Sequence, residues 1–184
     1  MVTGIVTAAA AAAGAGAGIA ASVPEQLVLR PAQVGPGYAP QLFPNGTVVQ
    51  GQVSLDLCGF TFRSEALRTA RVQMAYLKPR AAVQVSNEVV TYRRDGARKA
   101  LAELRQAVRS CPRKAVSGPA AGVGPVRYRV TRIRAMRLLP GALALEVRIV
   151  GRINARPVDL RATFVYQVRG SVLSAVYTYG GAPE

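Results

Sequence analysis

The apolar positions of this chain change period along its length, and that change defines its elements. From Asp95 to Ser110, Ala97, Ala100, Leu101, Leu104, Ala107 and Val108 recur at three- and four-residue spacings. This is one face of an α-helix. Arg98, Lys99, Glu103, Arg105, Gln106 and Arg109 fill the other face, and the pattern predicts that they meet solvent. Asp95 is placed to cap the start. Cys111 and Pro112 follow the last turn, and proline disfavours further helix.

Elsewhere the period is two or there is none. Thr47–Leu57, Ala70–Leu77 and Ala82–Tyr92 read as strands, the last with an Asn87-Glu88 interruption that suggests a bulge. Arg63–Thr69 reads as a helical turn capped by Ser64, and Glu25–Val34 as a turn or two of helix before Pro36, Gly37 and Pro40 break it. After a Gly/Pro/Ser-rich loop, Val126–Leu139 is a strand whose apolar parity switches near Thr131-Arg132. Leu143, Leu145, Val147 and Ile149 alternate cleanly. So do Leu160, Ala162, Phe164, Tyr166 and Val168, and Val172–Tyr179 returns across the Gly170-Ser171 turn. Gly151–Pro157 is read as a connection. The pattern predicts an α+β fold: an antiparallel sheet with a C-terminal three-stranded meander, packed by one long helix. No internal repeat or long linker divides residues 23–184, which read as one domain.

Residues 5–21, IVTAAAAAAGAGAGIAA, change the picture of where the chain works. They are apolar and uncharged, and Ala20 and Ser22 suit a cleavage site before Val23. No basic residue precedes them, so residues 1–22 read as a truncated signal segment or a low-complexity leader. Alanine and glycine give too weak a membrane signal for a stable transmembrane span. No cysteine follows the run to carry a lipid.

Composition removes several chemistries. The 184 residues include no histidine, which excludes histidine triads and histidine metal ligands within the chain. The acids Asp56, Glu65, Glu88, Asp95, Glu103, Glu146 and Asp159 form no recognised spaced pair, and Ser64 and Ser110 lack a nucleophile-elbow context. Gly14, Gly16 and Gly18 sit in an alanine tract without a phosphate-loop lysine. No catalytic residue, metal site or cofactor is therefore expected. Asn45-Gly46-Thr47 matches a glycosylation acceptor, a common tripeptide. The two cysteines, Cys58 and Cys111, permit one intramolecular pairing. In the cytosol they would be reduced core thiols; in a secreted protein, a disulfide closing a long loop.

The charge is +15, from 24 basic and 9 acidic residues, and most of the excess lies after residue 97. Such a field draws anions. Arg127, Arg129, Arg132, Arg134 and Arg137 along one predicted strand, with Arg148, Arg161 and Arg169 on the next two, are the candidate anion-binding residues. They form a binding stripe only if they share a face. Otherwise they are a solvated sheet surface. Tyr76, Tyr92, Tyr128, Tyr166, Tyr177 and Tyr179 either line a pocket or fill half-polar sheet positions. Phe164 and Tyr166 fall on the buried parity, which leaves few aromatics to stack nucleic-acid bases.

Asp56-Leu57-Cys58-Gly59, Asn87-Glu88-Val89-Val90 and a helix ending Arg109-Ser110-Cys111-Pro112 give the chain a resemblance. From about Gln26 to Tyr179 it resembles actinobacterial secreted or surface-tethered proteins related to the extracellular sensor-like domain of mycobacterial receptor Ser/Thr kinases. The resemblance implies an exported α+β domain, a structural Cys58–Cys111 disulfide and binding of a ligand or partner. It supplies no catalytic residue. This chain departs from the group in lacking a kinase domain, a lipobox and any second disulfide. The expectation is an exported non-enzymatic domain that binds an unidentified ligand or partner of the cell envelope, an anionic one if the arginines share a face. The rival is a cytoplasmic nucleic-acid- or polyanion-binding protein, which the scarcity of stacking aromatics disfavours.

Overall fold

The computed structural model describes residues 23–81, 83–117, 123–134 and 138–180. The leader at residues 1–22 and the candidate Arg137 lie outside the described residues. The element order is α1 (Val23–Leu27), α2 (Pro31–Val34), β1 (Ala39–Leu42), a 3-10 turn (Arg63–Leu67), β2 (Arg68–Leu77), β3 (Val83–Tyr92), α3 (Gly96–Arg109), β4 (Val123–Arg132), β5 (Leu143–Ile153), β6 (Arg156–Arg169) and β7 (Val172–Gly180).

The strands form one antiparallel sheet of seven, ordered β1-β2-β3-β7-β6-β5-β4. The C-terminal part is a meander of four strands, β4 to β7, not three. Its last strand returns to pair with β3 and joins it to the N-terminal half. Gly151–Pro157 is mostly strand: β5 and β6 run on to a tight turn at Asn154-Ala155, where both residues take positive φ, 49° and 62°. A two-residue turn of that hand matches the twist of the flanking strands.

α3 starts three residues after β3 and folds straight back over the sheet. Gly96 opens it where a Cβ would meet Tyr92 Cβ at 2.8 Å and Leu67 Cβ at 3.0 Å, so a side chain does not fit. Asp95 stands at the cap position, but its side chain makes no capping bond; its carbonyl accepts from the Lys99 amide at 3.0 Å. Ala97, Ala100, Leu101, Leu104 and Ala107 are buried against Val90, Leu145, Phe164, Tyr166 and Tyr177. Each leucine contributes roughly 1.5–3 kcal/mol by leaving water.

Glu103 does not meet solvent. It lies on the buried side, between Ala100 and Ala107 on the helix face. Its Oε2 accepts from the Ser64 amide at 3.0 Å and from the Ser64 hydroxyl at 2.6 Å. Ser64 thus ties the 3-10 turn to α3 rather than capping its own turn.

Thr47–Leu57 is not a strand. Its carbonyls are taken up by arginine side chains instead of a ladder, which answers the demand that buried backbone groups be paired. Arg68 Nη2 donates to Val49 O at 3.1 Å, and Arg71 Nη1 donates to Val48 O at 3.2 Å. The Asn87-Glu88 pair is not a bulge, because pairing runs unbroken through both residues on both neighbours. Each has a partner on its own face. Asn87 accepts from the Leu29 amide at 2.9 Å, and Glu88 meets Arg71. β4 ends at Arg132, and its irregularity lies between Val123 and Val126, not at Thr131-Arg132. β1 was not foreseen because Pro40 marks it as a break. Proline is tolerated there on the outermost strand.

A candidate anion site on the open sheet face

The two faces of the sheet are covered unequally. α3 and the loop before the 3-10 turn cover one. On the other, α1 packs against β2 and β3, where Tyr76 donates its hydroxyl to Leu29 O. The β4–β6 end of that second face is open, and the arginines stand there.

Strand register decides which of them meet. Arg129 pairs with Arg148, and Arg148 pairs with Arg161, so three guanidinium-bearing side chains form one row across three strands. Direct cross-strand neighbours lie about 4.5–5.5 Å apart. Arg127 shares the face, two residues along from Arg129. Arg132 has the opposite parity, aligned with Leu145 at the strand end. Arg134 lies beyond β4 and is exposed. Arg169 has the parity of Arg161 but sits eight residues away, about 26 Å along an extended strand.

Like charges in direct register repel, and one acid relieves the row. Asp159 accepts from Arg148 through two bonds, Nε to Oδ1 at 2.8 Å and Nη2 to Oδ2 at 2.6 Å. Those bonds hold the Asp159 carboxyl below its ordinary pKa and raise Arg148. Among the described residues, Arg127 and Arg129 make no hydrogen bond or ion pair. Beside the row is a hollow of about 240 Å³, lined by Arg129, Thr131, Glu146, Arg148 and Arg161. Planar guanidinium groups with free donors suit a phosphate, sulfate or carboxylate.

The tyrosines do not line a common pocket; Tyr128 alone of the buried set borders a groove, beside the end of α3. Tyr92, Tyr128, Tyr166 and Tyr177 are buried under α3, with Phe164 packed edge-on against Tyr177 at 5.0 Å between ring centres. Burial pushes the Tyr179 hydroxyl up to about 12 and the Tyr166 and Tyr177 hydroxyls higher still. They are neutral core side chains.

A second cleft, of about 590 Å³, was not anticipated from the sequence. Phe60, Phe62 and Leu55 line its apolar side, and Glu65 and Arg68 its polar side. Burial raises the Glu65 carboxyl, against the lowering effect of the Ser54 amide and Arg68. Gly51 lies inside the segment that the sequence pattern gives as a strand, and Phe60 and Phe62 just beyond it. Nothing in their spacing identified a cavity.

Cys58 and Cys111 form a disulfide with their Cα atoms 5.1 Å apart. It fastens the long loop to the C-terminal end of α3. Among the described residues, no group of three or more acids or cysteines is placed to hold a metal ion, and no helix is long and apolar enough to cross a membrane.

One seven-stranded antiparallel sheet braced by one long helix makes up the fold. The crystal structure of the extracellular domain of PknH from Mycobacterium tuberculosis shares it, with a TM-score of 0.51 over 87% of this chain and 86% of that chain. The two sequences are 16% identical, so the fold is what they share. No protein family and no curated protein matches the sequence.

Proposed function

We propose that this chain is an exported, non-enzymatic domain that binds an anionic ligand or partner of the cell envelope on the open face of its sheet. The observation that carries the reading is the Arg129–Arg148–Arg161 row. Such a row is unfavourable unless something anionic meets it, because like charges directly opposite destabilise a sheet. Asp159 occupies only Arg148 by hydrogen bonds. The disulfide supports an oxidising compartment, since such bonds are rare in the cytosol. The domain's role is to present this face outside the cytoplasm.

The test compares the wild-type chain with an Arg129→Ala/Arg148→Ala/Arg161→Ala variant, titrated with sulfate and with an acidic wall polysaccharide. Binding should be confined to the wild type and weaken with salt. Equal binding by the variant would remove the row from the function. Single-stranded DNA is the rival probe: tight binding at physiological salt would favour the intracellular reading. Alkylation of the protein in its native host supplies the other arm. An intact N-terminus with two free thiols would end the export proposal.

A further inference from the structure

β4 is the last strand of the sheet, with β5 on one side only. Its other edge is paired at a single point among the described residues, where Val126 and Val116 exchange two backbone bonds, at 2.8 and 2.9 Å. That exchange fixes which groups face outward. In an antiparallel strand the backbone donors and acceptors alternate sides. Val126 faces out, so Tyr128, Val130 and Arg132 do too. The Ile133 amide bonds inward to Ala144 O at 2.9 Å, as the alternation requires.

Alongside this edge runs a groove of about 560 Å³ between the end of α3 and the strand. Val108 and Cys111 wall its inner side, and Arg113, Arg127 and Arg129 its rim. The opposite edge of the sheet differs. β1 is four residues long and contains Pro40, which cannot donate. Among the described residues, the β4 edge offers both open backbone groups and a groove beside it.

We propose that the β4 edge takes an additional strand: an extended segment of a partner protein with acidic and apolar residues alternating. Backbone bonds to Tyr128, Val130 and Arg132 would hold it, as in other strand additions. Residues opposite Tyr128 and Val130 enter on the α3 side, against Val108, and should be apolar. Residues opposite Arg127, Arg129 and Thr131 enter on the open face and should be acidic.

Charge selects this occupant over two others. Continuing the chain's own Val116 bridge would put Arg113 opposite Arg129, and like charges in that position repel. A second copy pairing β4 with β4 has the same fault. Outward-facing residues must pair with outward-facing ones, and in the registers that set Tyr128 opposite Tyr128 or Val130, Arg129 of one copy falls opposite Arg127 or Arg129 of the other. The inference does not depend on the Arg129–Arg148–Arg161 row binding a small anion.

The probe is a synthetic peptide of about seven residues, matching Val126–Arg132, with glutamate and valine alternating. Binding to the full chain should protect the Tyr128, Val130 and Arg132 amides from hydrogen exchange. Methylating the valine nitrogens should weaken binding by about tenfold or more, a loss of the order of one hydrogen-bonded contact. Methylating the glutamate nitrogens, which point away, should not. Val130→Pro removes an outward amide and should abolish binding while sulfate binding at the row persists; Arg148→Ala/Arg161→Ala should do the reverse. If the edge arginines serve only to repel strands, no peptide binds. That result, or equal binding by both methylated peptides, overturns the proposal.

Discussion

Arg71 and Glu88 meet inside the protein, Nε to Oε1 at 2.8 Å, each side chain only 3% exposed. They stand on neighbouring strands, and the pair does more than neutralise itself. Ser54 donates its hydroxyl to the same Glu88 oxygen at 2.7 Å, and Arg71 Nη1 reaches Asn45 O and Val48 O. The 45–57 loop is therefore held down by polar contacts to the sheet. Removing one partner leaves the other charge buried and unpaired. Arg71→Met or Glu88→Gln should each cost about 3–5 kcal/mol in urea unfolding. Replacing both together should cost less than the sum of the two. Additive losses would mean that the residues act separately.

These contacts also explain what the sequence conveyed and what it hid. α3, β5, β6 and β7 were legible because their apolar residues keep one period over many positions. Glu103 was assigned to solvent because polarity alone suggested it. Its spacing from Ala100 and Ala107 put it on the buried side, and its partner Ser64 lies 39 residues upstream. The 47–57 segment looked like a strand because it is rich in valine and leucine, yet of these only Leu55 and Leu57 are buried, and its backbone is satisfied by Arg68 and Arg71 from another element. No local pattern records that. The arginine row was legible as composition but not as geometry. Which arginines meet depends on the registers of two strand pairs.

The Cys58–Cys111 bond closes a separation of 53 residues. A crosslink of that span narrows the unfolded ensemble, and Cys58→Ser/Cys111→Ser should lower stability by about 2–4 kcal/mol. Reduction of the wild type should give a similar loss. The weakened region should be the 45–62 segment and the end of α3, read by hydrogen exchange. A uniform loss of protection across the sheet would argue against a local fastening role.

Glu65 offers a test of burial. Its Oε2 accepts from the Ser54 amide at 2.9 Å, while its Oε1 is buried without a hydrogen-bond partner among the described residues. Desolvation raises its carboxyl above the ordinary glutamate value. A group with a raised folded value contributes stability that is fully present below its unfolded value and is lost as pH rises through the folded one. Wild type should therefore lose stability relative to Glu65→Gln as pH rises above the ordinary glutamate value of about 4.3. Parallel pH–stability curves for the two proteins would show that Glu65 is not held in this way.

Asp159 gives the opposite sign at the surface. Its hydrogen bonds to Arg148 lower its folded value. The stabilising contribution is present above the unfolded value and disappears as pH falls through the lowered one. The pair is exposed, so the effect on unfolding should be small. Its effect on anions should be larger, because Asp159 competes for the same guanidinium that the row would offer a ligand. Asp159→Asn keeps the shape, frees Arg148 and adds one unit of net positive charge. Sulfate should bind this variant more tightly than wild type at pH 7, and the difference should shrink as the wild-type carboxyl is protonated. Sulfate and the other acids titrate alike in both proteins, so the convergence, read as a difference between them, reports Asp159. A variant that binds sulfate no better than wild type at pH 7 would mean that Arg148 takes no part in anion binding.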